Sequence, residues 1–587
     1  MSNQSLPMRR RTNALAVFLT LFLVGYVAMG LFHVLVSLAC KLQGREAPRF
    51  VDTANVVKSS PTDMLGGFDP PIQNAWWVYV AWWIIFLGIL GLVVLAFWKV
   101  SSRQAAKRSG RTTKSDVAEL SFRSAVKAAT GVTPDDVPKR DRVVSLGHFE
   151  GQEIFGQHKD AMLAVAPSQS GKTSSLAVPW VLESPGPCLA ATAKNDLVYL
   201  TYHHRYKNHG PVAAFDPSGV AGLQEWIRWS PVHGCEEDLD EALKRGAALA
   251  SGGRAMESTG NMQFFDDLAG MMMAAYLHAA ARKNGGSMRD VMRWASDFAN
   301  KEPFRILSES PLAVSAGWPE MLSGNTTSKA DQTVGSLKMT LLRSLRPLQS
   351  PKVMELVCPD RSEPTFDVDA FLNSTGTLYV LSETGQGSVA PLVTMLTDHV
   401  IRRAQKLALN HKNNRLWPPF RSVIDEATNI APLPEMDQMM SDTGGRGISL
   451  RVLVQTYAQM EEAWGPKKAL SIRANAAAEY YLPGISEPEL VKELSERTTK
   501  YRAVRTSVSS GHKAGEASIS SSSEYDQAML PQDITQMRTG EALLFYRNQR
   551  YMKVALPPFW ERDDYPLIKE GIDDYERLKA AGGGPRA

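Results

Sequence analysis

At 587 residues, 44% of them hydrophobic and 21% charged, the chain is longer than one hydrophobic core sustains and too apolar for global disorder, so two or more folded units are expected. A net charge of only +4 excludes a nucleic-acid partner held by bulk basicity, and any basic surface must come from clustering. Cys40, Cys188, Cys235 and Cys358 lie far apart, with no CxxC pair and no His at zinc-finger spacing, so neither a disulfide framework nor a zinc site is expected.

Residues 1–12 form a short basic N-terminus, and Asn13 to Cys40 follows with no Asp, Glu, Lys or Arg. As a helix rising about 1.5 Å per residue this stretch reaches roughly 42 Å, beyond the ~30 Å hydrocarbon core. The run is about twice a signal-peptide core and lacks a small-residue cleavage site, which argues against a cleaved leader. A second uncharged stretch, Pro70 to Trp98, carries Trp76, Trp77 and Tyr79 near one end and Trp98 at the other, the interfacial positions that amphipathic rings favour. The predicted spans are 13–40 and 75–98, with an exported loop at 41–74. Arg9, Arg10 and Arg11 precede the first span, and Lys99, Arg103, Lys107, Arg108, Arg111 and Lys114 follow the second with no acid between them. Residues 41 to 69 hold four basic and four acidic side chains. The positive excess therefore flanks the hairpin, which predicts both termini in the cytoplasm and, after a basic linker at 99–114, a cytoplasmic body.

Ala161 to Ala166 reads as a short buried strand leading into Pro167-Ser-Gln-Ser-Gly171-Lys172-Thr173 and a helix from Ser174. In a phosphate-binding loop, successive backbone N–H groups cradle phosphate, the Lys meets the β and γ oxygens, and the Thr hydroxyl holds Mg²⁺. Ser168, Gln169, Ser170, Gly171, Lys172, Thr173 and Ser174 are the candidate nucleotide-binding residues. Ala166 stands where the usual pattern has its first Gly. Further along, His203, His204 and His209 sit among Tyr202, Arg205 and Lys207 without Cys or carboxylate at ligand spacing, and read as a solvated surface helix.

Pro187–Thr192, Pro211–Asp216 and Thr377–Leu381 are short, nearly continuous apolar runs between helical segments, the pattern of parallel strands buried on both faces. From 266 to 355 such runs vanish and Met271–Arg282 and Met288–Phe298 look helical, so an all-α insertion divides a nucleotide-binding domain into 115–265 and 356–560. Val423-Ile-Asp425-Glu426 offers a strand ending in two carboxylates: Asp425 to orient a Mg²⁺ shell, Glu426 to polarise the attacking water. A plain surface Asp-Glu pair is the alternative, and Arg421-Ser422 makes the strand less apolar than expected. Gly444-Gly-Arg446-Gly447 then leads into Ile448–Val454 and Gln455. Gln455 is placed either to sense a γ-phosphate or to cap the strand, and the glycine-flanked Arg446 can extend toward a neighbouring active site. Metal ligand, sensor and finger are expected along one edge of the sheet.

These blocks, with AKNDL at 193 to 197, FDP at 215 to 217, IDEATNIAPLP at 424 to 434 and GGRGISLRVLVQT at 444 to 456, resemble the type IV coupling proteins, the TraG/TraD-like ATPases of conjugation and type IV secretion. The resemblance covers most of the chain. It implies an α/β fold: two N-terminal transmembrane helices, then a RecA-like P-loop ATPase domain with an all-α insertion, assembled as a homo-hexamer on the bacterial inner membrane. It implies ATP and Mg²⁺ as cofactors, and single-stranded DNA with attached relaxase, or effector proteins, as cargo for a type IV secretion channel. Thr173 and Asp425 would hold Mg²⁺, Glu426 and Gln455 would act on the attacking water, and Arg446 would be the arginine finger. Two rival readings are a double-strand DNA pump of the FtsK-like, chromosome-segregation kind and a non-motor adaptor that docks substrates. Ser507–Ser523 is Ser- and Gly-rich and reads as a flexible loop, regular structure returns from Tyr525 to Phe559, and 561–587 is expected as a tail ending in a mobile Ala580–Ala587.

Overall fold

The computed structural model of the protein describes residues 25–108, 110–134, 137–222, 227–253, 260–327, 331–360, 363, 365–385, 388–510 and 517–580. The chain divides into two compact units, Met1–Ser109 and Gly110–Ala587. In the first, α1 (Gly25–Leu42) is long and apolar enough to cross a membrane by length and composition. The start of the expected first span lies outside the described residues. After α2 (Phe50–Ser59) comes α3 (Trp76–Arg108), in which the described residues show an apolar stretch at Trp76–Leu92. Trp82 Nε1 donates to the Ala28 carbonyl at 2.8 Å, and Phe32, Val36, Ala39 and Val78 bury together, so α1 and α3 pack as a hairpin. The stretch expected as a plain loop contains α2.

The second unit is built on β1 (Val143–Phe149), β2 (Gln152–Gln157), β3 (Met162–Val165), β4 (Cys188–Thr192), β5 (Val212–Phe215), β6 (Thr377–Leu381), β7 (Phe420–Ile424), β8 (Ile448–Val454), β9 (Ala478–Tyr481), β10 (Lys500–Ser510), β11 (Ala517–Gln527), β12 (Glu541–Tyr546) and β13 (Met552–Ala555). All but β10 and β11 form one eleven-stranded sheet in the order β2-β1-β13-β12-β9-β3-β8-β7-β4-β6-β5. From β9 to β5 neighbouring strands are parallel, and the remaining four pair antiparallel. Alternation sends Leu163 and Val165 into one core and Met162 and Ala164 into the other, so the strands are covered on both faces. The expected strands all form. Arg421 is accommodated inside β7, 1% exposed, because its guanidinium donates to the Trp180 carbonyl at 2.7 Å and to His158 at 3.1 Å.

Between β5 and β6 the described residues hold helices and no strand; the helix Gly260–Arg282 begins before residue 266, and an earlier helix, Leu239–Gly252, packs along it. Gly246 permits that crossing: a Cβ there would lie 2.3 Å from the Gly270 carbonyl oxygen.

Three expectations are corrected. Much of Ser507–Ser523 is ribbon, not loop: β10 and β11 pair antiparallel from Lys500↔Gln527 to Ser510↔Ala517. Serine is no strand breaker, and here the ladder is satisfied by backbone pairing. The predicted tail contains a helix, Tyr565–Ala580, and residues 581–587 lie outside the described ones. That helix covers the supposedly solvated His segment, Asp196–Asn208, and buries His203 and His204. Asp564 lies 3.0 Å from His204 Nε2, and Glu570 and Asp574 lie 3.4 and 3.5 Å from His203. Burial would raise Asp564, but His204 and Arg562 hold its carboxyl well below the usual carboxylate range. The partners come from the far end of the sequence, which local spacing cannot show.

Candidate active site

Because β3, β8, β7 and β4 are neighbours in that order, the segments leaving their C-terminal ends lie side by side. They are the loop 166–173, Gln455, the pair Asp425-Glu426, and Ala193–Asp196. Open parallel sheets bind ligands at this end of the strands.

The loop leaves β3 with the Ala166 amide on the Val454 carbonyl at 2.8 Å, so an alanine fits where the usual glycine stands. Gln169 (φ 62°) and Gly171 (φ 87°) take left-handed conformations, and only a glycine adopts the second without strain. At Gly171 a Cβ would also touch Thr539, 3.4 Å away. A wide helical turn, Thr173–Ala177, follows and continues as Val178–Leu182.

Lys172, 5% exposed, extends across β8 to the carboxylates: its Nζ is 3.1 Å from Glu426 Oε1 and 3.8 Å from Asp425 Oδ1. Glu426 stands at φ 58°, ψ 45°, a backbone state costing an L-residue about 1–2 kcal/mol, and one that occurs at functional sites. Burial would raise Glu426, but the charge and hydrogen bond of Lys172 and a hydrogen bond from Gln455 hold it below its ordinary value. Burial pushes the Asp425 carboxyl up to about 6, against the pull of Lys172 and with the charge of Glu426 adding to the rise. Asp425-Glu426 is therefore no surface pair.

Sequence reasoning gave no role to two further residues. Lys194, more than half exposed, reaches within 3.8 Å of Glu426 Oε1. Asp196, at the start of its helix, is raised by burial and is coupled to Glu426, Lys172 and Lys194. Both lie in the AKNDL block, whose only local signal was its place just after an apolar strand.

Arg446 is not at this site in its own chain, and the expected common edge does not form. β8 runs parallel to β3 with Val454 beside Val165, whereas Arg446 precedes Ile448 at the other end of β8, six residues or roughly 20 Å away. There its Nε pairs with Asp442 at 3.1 Å.

The residues suit a Mg²⁺-nucleotide. Ser170 Oγ and Asp425 Oδ1 are buried without a hydrogen-bond partner in the protein, and a buried ammonium stands beside the glycine turn. Lys172 rests on carboxylates that take the place of a phosphate. Thr173 and Asp425 are the side chains able to hold the cation, and Gln455 is already bonded to the candidate base.

The chain is similar to several known proteins. The family model described as Type IV secretory system Conjugative DNA transfer matches residues 111–579, about four-fifths of the chain. The conjugal transfer protein TraG of Rhizobium radiobacter and that of Agrobacterium fabrum (strain C58 / ATCC 33970) are each 23% identical over 159 residues, 27% of this chain. The aligned segment spans only 25% and 24% of those relatives. Among solved structures, the unbound conjugative coupling protein TrwBdeltaN70 superimposes with a TM-score of 0.52 at 15% identity, covering 75% of this chain and 92% of that one. TrwB in complex with a non-hydrolysable ATP analogue gives 0.51 at 14% identity over the same shares. These likenesses establish the fold: a mixed α/β body with a large parallel sheet. With the family model matched from just after the N-terminal unit almost to the end of the last helix, the chain belongs to the type IV secretory system conjugative DNA transfer family.

Proposed function

We propose that the chain is an inner-membrane coupling ATPase that recruits relaxase-bound single-stranded DNA, or effector proteins, and uses ATP hydrolysis to deliver them to a type IV secretion channel. The observation that carries this reading is Lys172 Nζ held 3.1 Å from Glu426, with Asp425 and Gln455 beside it on adjacent strands. Bound ATP-Mg²⁺ would supply the phosphoanhydride and the cation's charge. The chain's own part is to seat phosphate on the backbone and Lys172, hold the cation with Thr173 and Asp425, and orient water with Glu426 and Gln455. Lys172 would leave Glu426 for phosphate, freeing the carboxylate to accept a proton. That TrwB has been solved with ADP and Mg²⁺ supports this assignment. Arg446, too far from its own site, would serve the adjacent subunit of a homo-hexamer.

Glu426→Gln tests the roles within the pair. The amide keeps the shape and leaves Asp425 in place, so ATP binding is expected near wild type while turnover falls at least a hundredfold, the scale of general-base catalysis. Binding by equilibrium dialysis, turnover by phosphate release and mating efficiency would be compared. Loss of nucleotide binding would give Glu426 a different role.

Membrane placement rests on α1 and on the basic flanks. We expect a reporter fused at Ser60 to be active outside the membrane and one at Gly583 inside. Both reporters active on one side would break the two-span topology.

A further inference from the structure

The helix Gly260–Arg282 packs against two shorter helices of the insertion, Glu302–Ser308 and Trp318–Thr326. Between them lies a cavity of about 170 Å³ whose walls include Tyr276, Phe298, Phe304 and Leu322. An apolar cavity of roughly 150 Å³ admits a benzene ring, so this one holds a single aromatic side chain and is too small for a nucleotide. It stays open because Ser323 and Thr326, beside Leu322, are too small to fill the gap.

Tyr276 sets the chemistry of the space. The residue is 1% exposed, yet its hydroxyl has no hydrogen-bond partner among the described residues, and burial alone pushes its phenol up. Buried hydroxyls ordinarily find a partner, so this one calls for a group from outside. Two of the other polar side chains are already engaged. The Thr326 hydroxyl donates to the Leu322 carbonyl at 2.8 Å, and the Asn300 side chain accepts from the Glu302 amide at 2.9 Å. The Ser323 hydroxyl, like that of Tyr276, makes no such bond among the described residues.

The surroundings are basic. Lys301 lines the cavity, and Lys338 Nζ lies 5.7 Å from the centroid of the Phe298 ring. Among the described residues neither lysine has an ion-pair partner, and no acid lines the cavity. The acids close to Lys301 in the chain are occupied: Asp297 accepts from the Ala299 amide, and Glu302 pairs with Lys283 and Arg293. Phe304, 39% exposed, brings the apolar wall out to solvent, where an incoming ring can reach it.

We propose that this cavity docks a tyrosine side chain presented by an acidic peptide segment of a partner protein. The ring packs among Phe298, Phe304 and Leu322, its phenol shares hydrogen bonds with the Tyr276 and Ser323 hydroxyls, and carboxylates flanking it in the peptide meet Lys301 and Lys338. A ring in a desolvated pocket with charges at its edge is the arrangement that concentrates binding energy at an interface. The inference goes beyond the ATPase reading and does not rest on it.

The test uses the full chain in detergent micelles and a dye-labelled heptapeptide with a central tyrosine between pairs of glutamates, followed by fluorescence anisotropy. The peptide should bind. Replacing its tyrosine by alanine, or its glutamates by lysines, should weaken it roughly tenfold or more. Tyr276→Phe should cost about fivefold, the scale of one hydrogen bond, and Lys301→Ala should reduce the salt dependence. Ser323→Phe places a ring in the cavity from within, so it should abolish binding while the unfolding temperature stays at or above that of the parent. No binding by the parent chain, equal binding by Ser323→Phe, equal binding of the alanine peptide or tighter binding of the lysine peptide would overturn the proposal. Occupation by free para-cresol without binding of the peptide would also overturn it, since the cavity would then be a site for small phenols. Should Ser323→Phe fail to accumulate, Tyr276→Phe decides, and an unchanged affinity there counts against docking.

Discussion

Lys172→Ala should abolish DNA transfer and ATP turnover while the protein still accumulates in the membrane. Among the described residues, the ammonium is the one cation buried beside both carboxylates, and the exposed Lys194 can replace its charge but not its reach into the loop. Removing one member of a buried pair ordinarily destabilises a protein, since it strands the partner. Here the stranded groups are two adjacent carboxylates, with Asp425 already pushed up to about 6, so one of them takes up a proton and the cost is contained. Function should therefore fall by orders of magnitude with only a small drop in unfolding temperature. Mating efficiency, phosphate release and thermal unfolding of the purified variant measure the three quantities. Normal transfer would refute the motor assignment. A collapse in protein level would recast Lys172 as a structural residue.

Arg446→Ala should be nearly inactive alone, since a finger supplied by a neighbour contributes roughly 10³ to 10⁵ in rate in related phosphoryl transfer. The structure sharpens the test by giving Arg446 a partner in Asp442, an i,i+4 pair worth about 0.3–0.5 kcal/mol when exposed. If that pair were the purpose of Arg446, Asp442→Ala would do equal harm. A finger predicts instead that Asp442→Ala stays active. Mixed assemblies of Arg446→Ala and Lys172→Ala would contain interfaces with an intact loop facing an intact arginine, and part of the turnover should return. No recovery in assemblies shown to contain both variants would mean that Arg446 does not act across an interface.

The parallel strands were legible because burial on both faces demands unbroken apolar runs, as in Cys188–Thr192 and Thr377–Leu381. The phosphate loop was legible because its chemistry needs a glycine and a lysine in fixed spacing. β9 was not. Its Glu479 looks like a surface residue, yet it is buried under Arg473 and Arg497 from the two flanking helices and the hydroxyl of Tyr481 in its own strand. β1, β2, β12 and β13 pair antiparallel along one flank, where Gln152, Glu153 and Lys553 interrupt the apolar pattern. Arg446 went astray for a topological reason. Nearness in sequence to Gln455 suggested nearness in space, but a strand separates the two, and a seven-residue strand carries its ends to opposite edges of the sheet. The His segment misled similarly, because the helix that covers it begins more than 350 residues later.

The most direct measurement is ATP turnover by the purified full chain with no DNA, with single-stranded DNA and with duplex. A coupling motor for a transferred strand predicts marked stimulation by single strands over duplex, abolished by Lys172→Ala. Preferential stimulation by duplex, or no turnover under any condition while nucleotide still binds, would contradict it.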